Sequence, residues 1–155
     1  MGEKQVIVMA IGSERYGVDV NQVQSIEKVM PITRVPRTLP FIKGVINLRG
    51  VVTPVIDLRE RFAFEETVLT DDTRITVVQT ADMTVGMLVD AVTDVITIQE
   101  DSIEPPPSIV GGIQAVYLSG IARVNGELIV LLNLNRVLSA VEEKQLKEVE
   151  KSVRG

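Results

Sequence analysis

The side chains that carry most protein chemistry are missing from this chain. Its 155 residues include no histidine and no cysteine. That removes the usual general base, the commonest metal ligand and the most reactive nucleophile, and with them any phosphohistidine relay, thiolate metal site or disulfide framework. Carboxylates and arginines remain. Asp71-Asp72 is a carboxylate pair without further ligands near it in sequence, and reads as a solvated turn. Arg49, beside Gly50, could clamp a phosphate from a hairpin tip, or contact a neighbouring loop or another protein. No GxGxxG, Walker loop or GxSxG occurs. The residue set does not suggest an enzyme, a metal or a cofactor.

Charge narrows the choice of partners. A net charge of −5 argues against nucleic acid and anionic membrane surfaces, which favour basic proteins. No apolar run reaches the roughly 18 to 20 residues of a membrane-spanning helix, and the start, MGEKQVIVMA, lacks secretory and myristoylation signals. A cytoplasmic location is the simplest expectation. The charge is uneven along the chain. Lys28, Arg34, Arg37, Lys43 and Arg49 occur with no acid among them, whereas residues 60–104 hold eleven acids against Arg61 and Arg74. Two readings stay open: ordinary solvated faces, or a polarised molecule that docks partners by charge.

What positions these side chains is an internal duplication. Residues 41–62, FIKGVINLRGVVTPVIDLRERF, land without a gap on 117–138, YLSGIARVNGELIVLLNLNRVL, after a slide of 76 positions. Gly44 meets Gly120, Gly50 meets Gly126, Leu58 meets Leu134, and the apolar positions agree. An offset of 69 does the same for the earlier part, carrying Gly17 to Gly86, Val20 to Val89, Val23 to Val92, Ile26 to Val95 and Pro36 to Pro105. The second copy is longer by seven residues before Gly120, where PPPSIVGGIQ reads as an inserted loop.

Each copy predicts the same strands. Gln5–Ile11 and Arg15–Val18 form a hairpin, repeated by Arg74–Thr80 and Thr84–Val89. Val20, Val23, Ile26 and Val29 have helix-like spacing, yet the β-branched counterpart Val92–Ile98 reads as strand, so the expectation is a short turn over Val20–Gln22 followed by a strand. Pro31–Pro40 is an extended connection or edge. Ile42–Leu48 and Val51–Leu58 pair around Arg49-Gly50, where the second copy has Asn125-Gly126, the strongest short hairpin signal. The returning strand is apolar on both faces, with Val52, Ile56 and Leu58 on one and Val51 and Val55 on the other. It therefore needs cover on both: one face can fill a small barrel and the other can lie against the second copy. Two halves of this size are marginal alone. Ser139 and Glu142 form a capping box for a helix over about 140–152, with i,i+4 pairs Glu143–Lys147 and Glu150–Arg154. Its stripe of Leu146, Val149 and Val153 is narrow, so it is expected to pack loosely on a barrel or to dock a partner. The expected layout is one domain, 1–155: a first barrel mainly over 5–62, an acidic linker 63–73, a second barrel mainly over 74–138, then the helix.

The string FIKGVINLRGVVTPVIDLRERF resembles the signature of the CheW family of chemotaxis coupling proteins. The likeness extends to YGVDVNQVQSI, VGMLVDAVTDVITI and LIVLLNLNRVL, nearly the whole chain. It implies an all-β fold of two five-stranded SH3-like β-barrels with a short C-terminal helix, in agreement with the duplication. It implies a non-catalytic adaptor that joins the regulatory domain of the histidine kinase CheA to the cytoplasmic tips of chemoreceptors. Such a protein would be a monomer alone and would sit in membrane receptor arrays through its partners, without inserting in the membrane. By the same resemblance, a receptor-facing groove would use Val20, Val23, Ile26, Gly44, Asn47 and Arg49. Many relatives carry an acid in V-x-E-I where this chain has Val23-Gln24-Ser25-Ile26, which puts one polar contact beside the groove in doubt. Two variants of the reading are the CheW-like part of a CheV-type adaptor, for whose receiver domain the chain stops too soon, and a CheA regulatory fragment, which would lack its own Met1.

Overall fold

The structure, a computed structural model, describes residues 2–35, 39–110, 113–138 and 140–154. In chain order its strands are β1 (Glu3–Ile11), β2 (Glu14–Asp19), β3 (Val23–Lys28), β4 (Ile42–Leu48), β5 (Val51–Asp57), β6 (Arg74–Gln79), β7 (Thr84–Val89), β8 (Ala91–Gln99), β9 (Ile109–Val110), β10 (Ile113–Gln114), β11 (Leu118–Val124) and β12 (Glu127–Leu132). The helices are α1 (Leu58–Arg61), α2 (Leu134–Val137) and α3 (Ala140–Arg154). The hairpins and the 3-10 turn over Val20–Gln22 lie where the sequence places them. The insertion is not a plain loop, because β9 and β10 pair within it.

The barrels do not follow the copies. One five-stranded sheet has the order β11-β12-β2-β1-β8 and the other β3-β6-β7-β5-β4. The first is called the terminal barrel and the second the central barrel. Each takes the opening hairpin of one copy and the three remaining strands of the other, joined on one side by a parallel pair, β12 with β2 or β5 with β7, and on the other by an antiparallel pair, β1 with β8 or β6 with β3. The expected split into 5–62 and 74–138 is therefore corrected to an exchange of strands. Both copies carry the same apolar pattern, so pairing within a copy and across copies satisfies the sequence equally well. Connectivity decides. The corner at Val20–Gln22, capped by Asp19 accepting the Asn21 N–H at 2.9 Å, delivers β3 to the other sheet. Under exchange of copies the two strand orders are the same. Chain running on from the edge strands closes each sheet, through bridges Thr33–Val45 and Glu104–Ile121.

Three apolar clusters result. Val6, Val8, Ile98, Ala122, Ile129 and Leu131 fill the terminal barrel. Ile46, Val55, Ile75, Val77 and Leu88 fill the central one. The third lies between them and takes the opposite faces of the same strands, Ile56 from β5, and Val130 and Leu132 from β12. The two-sided strands are thus covered as their pattern requires.

Ionic and aromatic ties lock the barrels together. Arg59 on α1 grips Asp90 through Nε (2.9 Å) and Nη2 (2.8 Å), and Asp90 also accepts the Gly12 N–H at the β1–β2 tip, at 2.7 Å. The Arg59 hydrogen bond, aided by that N–H, holds the Asp90 carboxyl below its ordinary range against the opposing effect of burial. Asn135 on α2 makes the matching tie, accepting the Ala81 N–H of the β6–β7 tip at 2.8 Å. Arg61 lies over Phe41 (5.3 Å) and Tyr117 (4.7 Å), which are repeat counterparts, and donates to Glu142 of α3 at 3.2 Å.

α3 is not loosely packed. Leu146 and Val149 are buried in the inter-barrel cluster, and the Leu39 N–H donates to Gln145 Oε1 at 3.0 Å. Three residues fastened on one side outweigh the narrowness of the stripe. The expected cap at Ser139, and the side chains of the Glu150–Arg154 pair, lie outside what the structure describes.

Candidate functional site

Val20 leaves β2 through the 3-10 corner, and Val23 opens β3; both are half-buried against the inter-barrel cluster. Strict alternation would put Val23 and Ile26 on opposite faces of a strand. A bulge between Val23 and Ser25 changes that. Val23 now faces Val78 and Ile26 faces Thr76, two residues apart on β6, so both side chains project on one side. Ile26 is 39% exposed. The second copy repeats the device, with Val92 opposite Met9, Val95 opposite Ile7, a register shift between them and Val95 60% exposed.

The other three residues lie on β4 and its tip. Arg49 and Gly50 occupy the left-handed region (φ 53° and 86°), as Asn125 and Gly126 do (50° and 81°), the signature of a type I′ turn. Asn47 Oδ1 accepts the Gly50 N–H at 2.7 Å and braces the turn. Gly44 has φ 137°, and a Cβ there would come within 2.0 Å of the Thr33 carbonyl oxygen. It is buried beneath the crossing chain, so its part in any groove is to let Thr33 lie close to β4.

Arg49 reaches β3. Its guanidinium lies 3.4 Å from Glu27, with the Arg49 side chain 74% exposed. Glu27 pairs with Ile75 of the central-barrel core, so Arg49 meets β3 from the barrel side while Val23 and Ile26 leave its opposite face. The six residues therefore surround one edge strand without forming a single patch. An open groove of about 710 Å³ lies alongside, with the bulged Gln24, Arg49, Val52 and Thr84 in its walls and Lys147 and Lys151 of α3 on its margin. Gln24 Nε2 donates to Gln79 Oε1 at 3.0 Å, which also accepts the Thr84 hydroxyl at 2.5 Å. The groove is open and mixed in character, with cationic, amide and apolar side chains along it. Among the described residues no three metal-ligand side chains gather, and no helix is long and apolar enough to cross a membrane.

Sequence reading missed Glu27, Gln24 and the α3 lysines. Glu27 had a usable signal, since Glu27 and Arg49 are both absent from the second copy, where Ile96 and Asn125 stand. Residues lost together in one copy are candidates for a pair in the other. Gln24 and Lys147 had none, because only the fold brings α3 beside the β6–β7 turn.

A surface of this kind, on two strand-exchanged barrels, can be compared with known proteins. The family model described as the CheW-like domain matches residues 5–142. The chain belongs to the CheW-like family. Among CheW-like relatives, the chemotaxis protein CheW of Bacillus subtilis is 46% identical over 88% of this chain and 87% of its own. That of Klebsiella aerogenes is 34% identical over 96% and 90%. The crystal structure of the scaffolding protein TtCheW from Thermoanaerobacter tengcongensis superposes with a TM-score of 0.83 at 37% identity, covering 90% of each chain.

Proposed function

We propose that this protein is a non-enzymatic chemotaxis adaptor that couples chemoreceptor cytoplasmic tips to the regulatory domain of the histidine kinase CheA. The carrying observation is membership of the CheW-like family along nearly the full chain, with relatives named as chemotaxis proteins and a solved neighbour titled a scaffolding protein. The sequence supports it by lacking the side chains of most catalysis. The surface supports it with a half-buried valine pair and an exposed isoleucine on an edge strand, beside a groove margin bearing Arg49, Lys147 and Lys151 against Asp82. Such a margin suits a partner with acidic and apolar residues side by side. The receptor-contacting residues lie around β3, with Val20, Val23 and Ile26 on one side, Arg49 beside Asn47 reaching it from the other, and Gly44 shaping β4 beneath the crossing chain. The protein works in the cytoplasm, held at receptor arrays by its partners.

Co-sedimentation of the purified protein with CheA and a receptor signalling fragment tests this. The expected result is a ternary complex in which receptor control of autophosphorylation requires the protein. Failure to bind either partner, or turnover of a metabolite that vanishes on mutating one carboxylate, overturns the reading.

A further inference from the structure

The duplication allows one end of the terminal barrel to be compared with its own copy in the central barrel, where the chain plugs that end itself. Asp57 is fully buried there. Its carboxylate accepts the Thr67 N–H at 2.9 Å, the Thr67 hydroxyl at 2.7 Å and the Arg59 N–H at 3.0 Å. The preceding Glu66 reaches Lys43 at 3.4 Å. The repeat offsets carry Asp57 to Asn133, Lys43 to Ser119, Arg59 to Asn135 and Ile56 to Leu132, and relate Thr73 to Lys4. Those five counterparts all line an open pocket of about 220 Å³. Among the described residues nothing plugs this end, for a reason of connectivity. After α1 the chain returns over the barrel end as residues 63–73, but after α2 it continues into α3, which packs on β5 and β4 of the other barrel.

We propose that this pocket docks an extended segment of a partner protein carrying a threonine or serine, seated on Asn133 as Thr67 sits on Asp57. The exchange of acid for amide suits an intermittent occupant. A carboxylate left there without partners would carry the desolvation cost of a bare charge, whereas an amide between visits does not. Asn133 starts α2 without a side-chain capping bond, and its amide both accepts from a hydroxyl or backbone N–H and donates to a carbonyl. Lys4, 3.9 Å from Asp19 at the same opening, offers a cation to an acidic flanking residue, as Lys43 does to Glu66. These residues are separate from the receptor-facing set, and the inference does not rest on the coupling reading.

The test is an NMR titration of the full-length protein with a synthetic peptide copying residues 63–73, AFEETVLTDDT. Saturable shifts are expected at Ser119, Asn133 and Asn135, with affinity lost when valine replaces the threonine of the ETV sequence. The Ser119→Lys/Asn133→Asp double variant, which rebuilds the central barrel's residues, should bind about tenfold more tightly, as one added charge-assisted hydrogen bond would give. Shifts confined to the Asp57–Thr67 region would mean displacement of the resident plug and would overturn the proposal. So would silence at Ser119, Asn133 and Asn135 in the unaltered protein, or equal binding of the threonine and valine peptides. Neither of those comparisons depends on the variant folding.

Discussion

Arg49 holds a left-handed conformation (φ 53°) that costs a residue with a Cβ roughly 1 kcal/mol, and its exposed ion pair with Glu27 returns at most about that much. An arginine kept under those terms is better explained by a partner than by the turn. Arg49→Asn keeps the turn chemistry of Asn125 and removes the guanidinium. We expect it to weaken receptor-fragment binding by roughly 1–3 kcal/mol while leaving the urea midpoint unchanged or higher and CheA binding intact. Full receptor affinity in titrations would return Arg49 to the turn. Val23→Ala should weaken the same contact with some loss of stability. Glu143 poses a different residue-scale question. Burial first, then its hydrogen bond with Asp82, pushes its carboxyl above the ordinary 4.5, with Lys147 acting in the opposite direction. A raised carboxyl pKa favours folding fully below that ordinary value, and the contribution is lost as pH rises through the folded pKa. Asp90 has the opposite sign: its contribution is present above its ordinary 3.8 and lost as pH falls through the lowered value. Glu143→Gln should therefore flatten the decline in stability above about pH 4.5 and leave the acid limb alone. Identical pH slopes in urea melts of both proteins would count against this account.

At the scale of elements, α3 is part of the core and Gly44 is a crossing point. Leu146→Ala removes a fully buried side chain between helix and barrels, and should cost about 2–5 kcal/mol in urea unfolding. A loosely laid helix would lose well under 1 kcal/mol by the same measurement, and that result would detach α3 from the fold. Gly44→Ala meets two obstacles, a positive φ and the Thr33 carbonyl oxygen 2.0 Å from the added carbon. It should destabilise by about 3 kcal/mol or more and lower receptor binding in proportion to the unfolded fraction. Gly120 is the counterpart, but an added Cβ there would meet the Ile103 side chain at 2.4 Å without a positive φ, so a smaller loss should appear.

The whole molecule stands on strand exchange. Neither half of the chain contains a complete barrel, because β1 and β2 need β8, β11 and β12, and β6 and β7 need β3, β4 and β5. A fragment ending at Val68 should therefore show no cooperative urea transition alone, and likewise the remainder. Mixed, the two should recover the native circular dichroism spectrum. Independent folding of the first fragment would mean that β1 and β2 can pair stably with β3–β5 of their own copy.

Much of the fold is legible in the sequence. The 76- and 69-residue offsets established the duplication. The Asn-Gly and Arg-Gly tips established two hairpins, and strands apolar on both faces required cover on both. These are local or periodic properties that a strand carries wherever it goes. Of the candidate site, only the departure of Arg49 from Asn125 was legible in the repeat itself; Val23 and Gly44 entered through the family resemblance, and the fold adds that Gly44 is a crossing point beneath Thr33. What the tertiary structure alone decided is which copy each strand pairs with, because equal patterns make the two pairings equally satisfying and only the crossings at Val20–Gln22 and at Asp90 distinguish them. It also decided that a bulge would turn Val23 and Ile26 to one side, that α3 would sit on the central barrel, and that one barrel end would be plugged by Thr67 while its twin stays open. Each depends on where a distant stretch of chain arrives, and the spacing of residues along one strand carries no record of that.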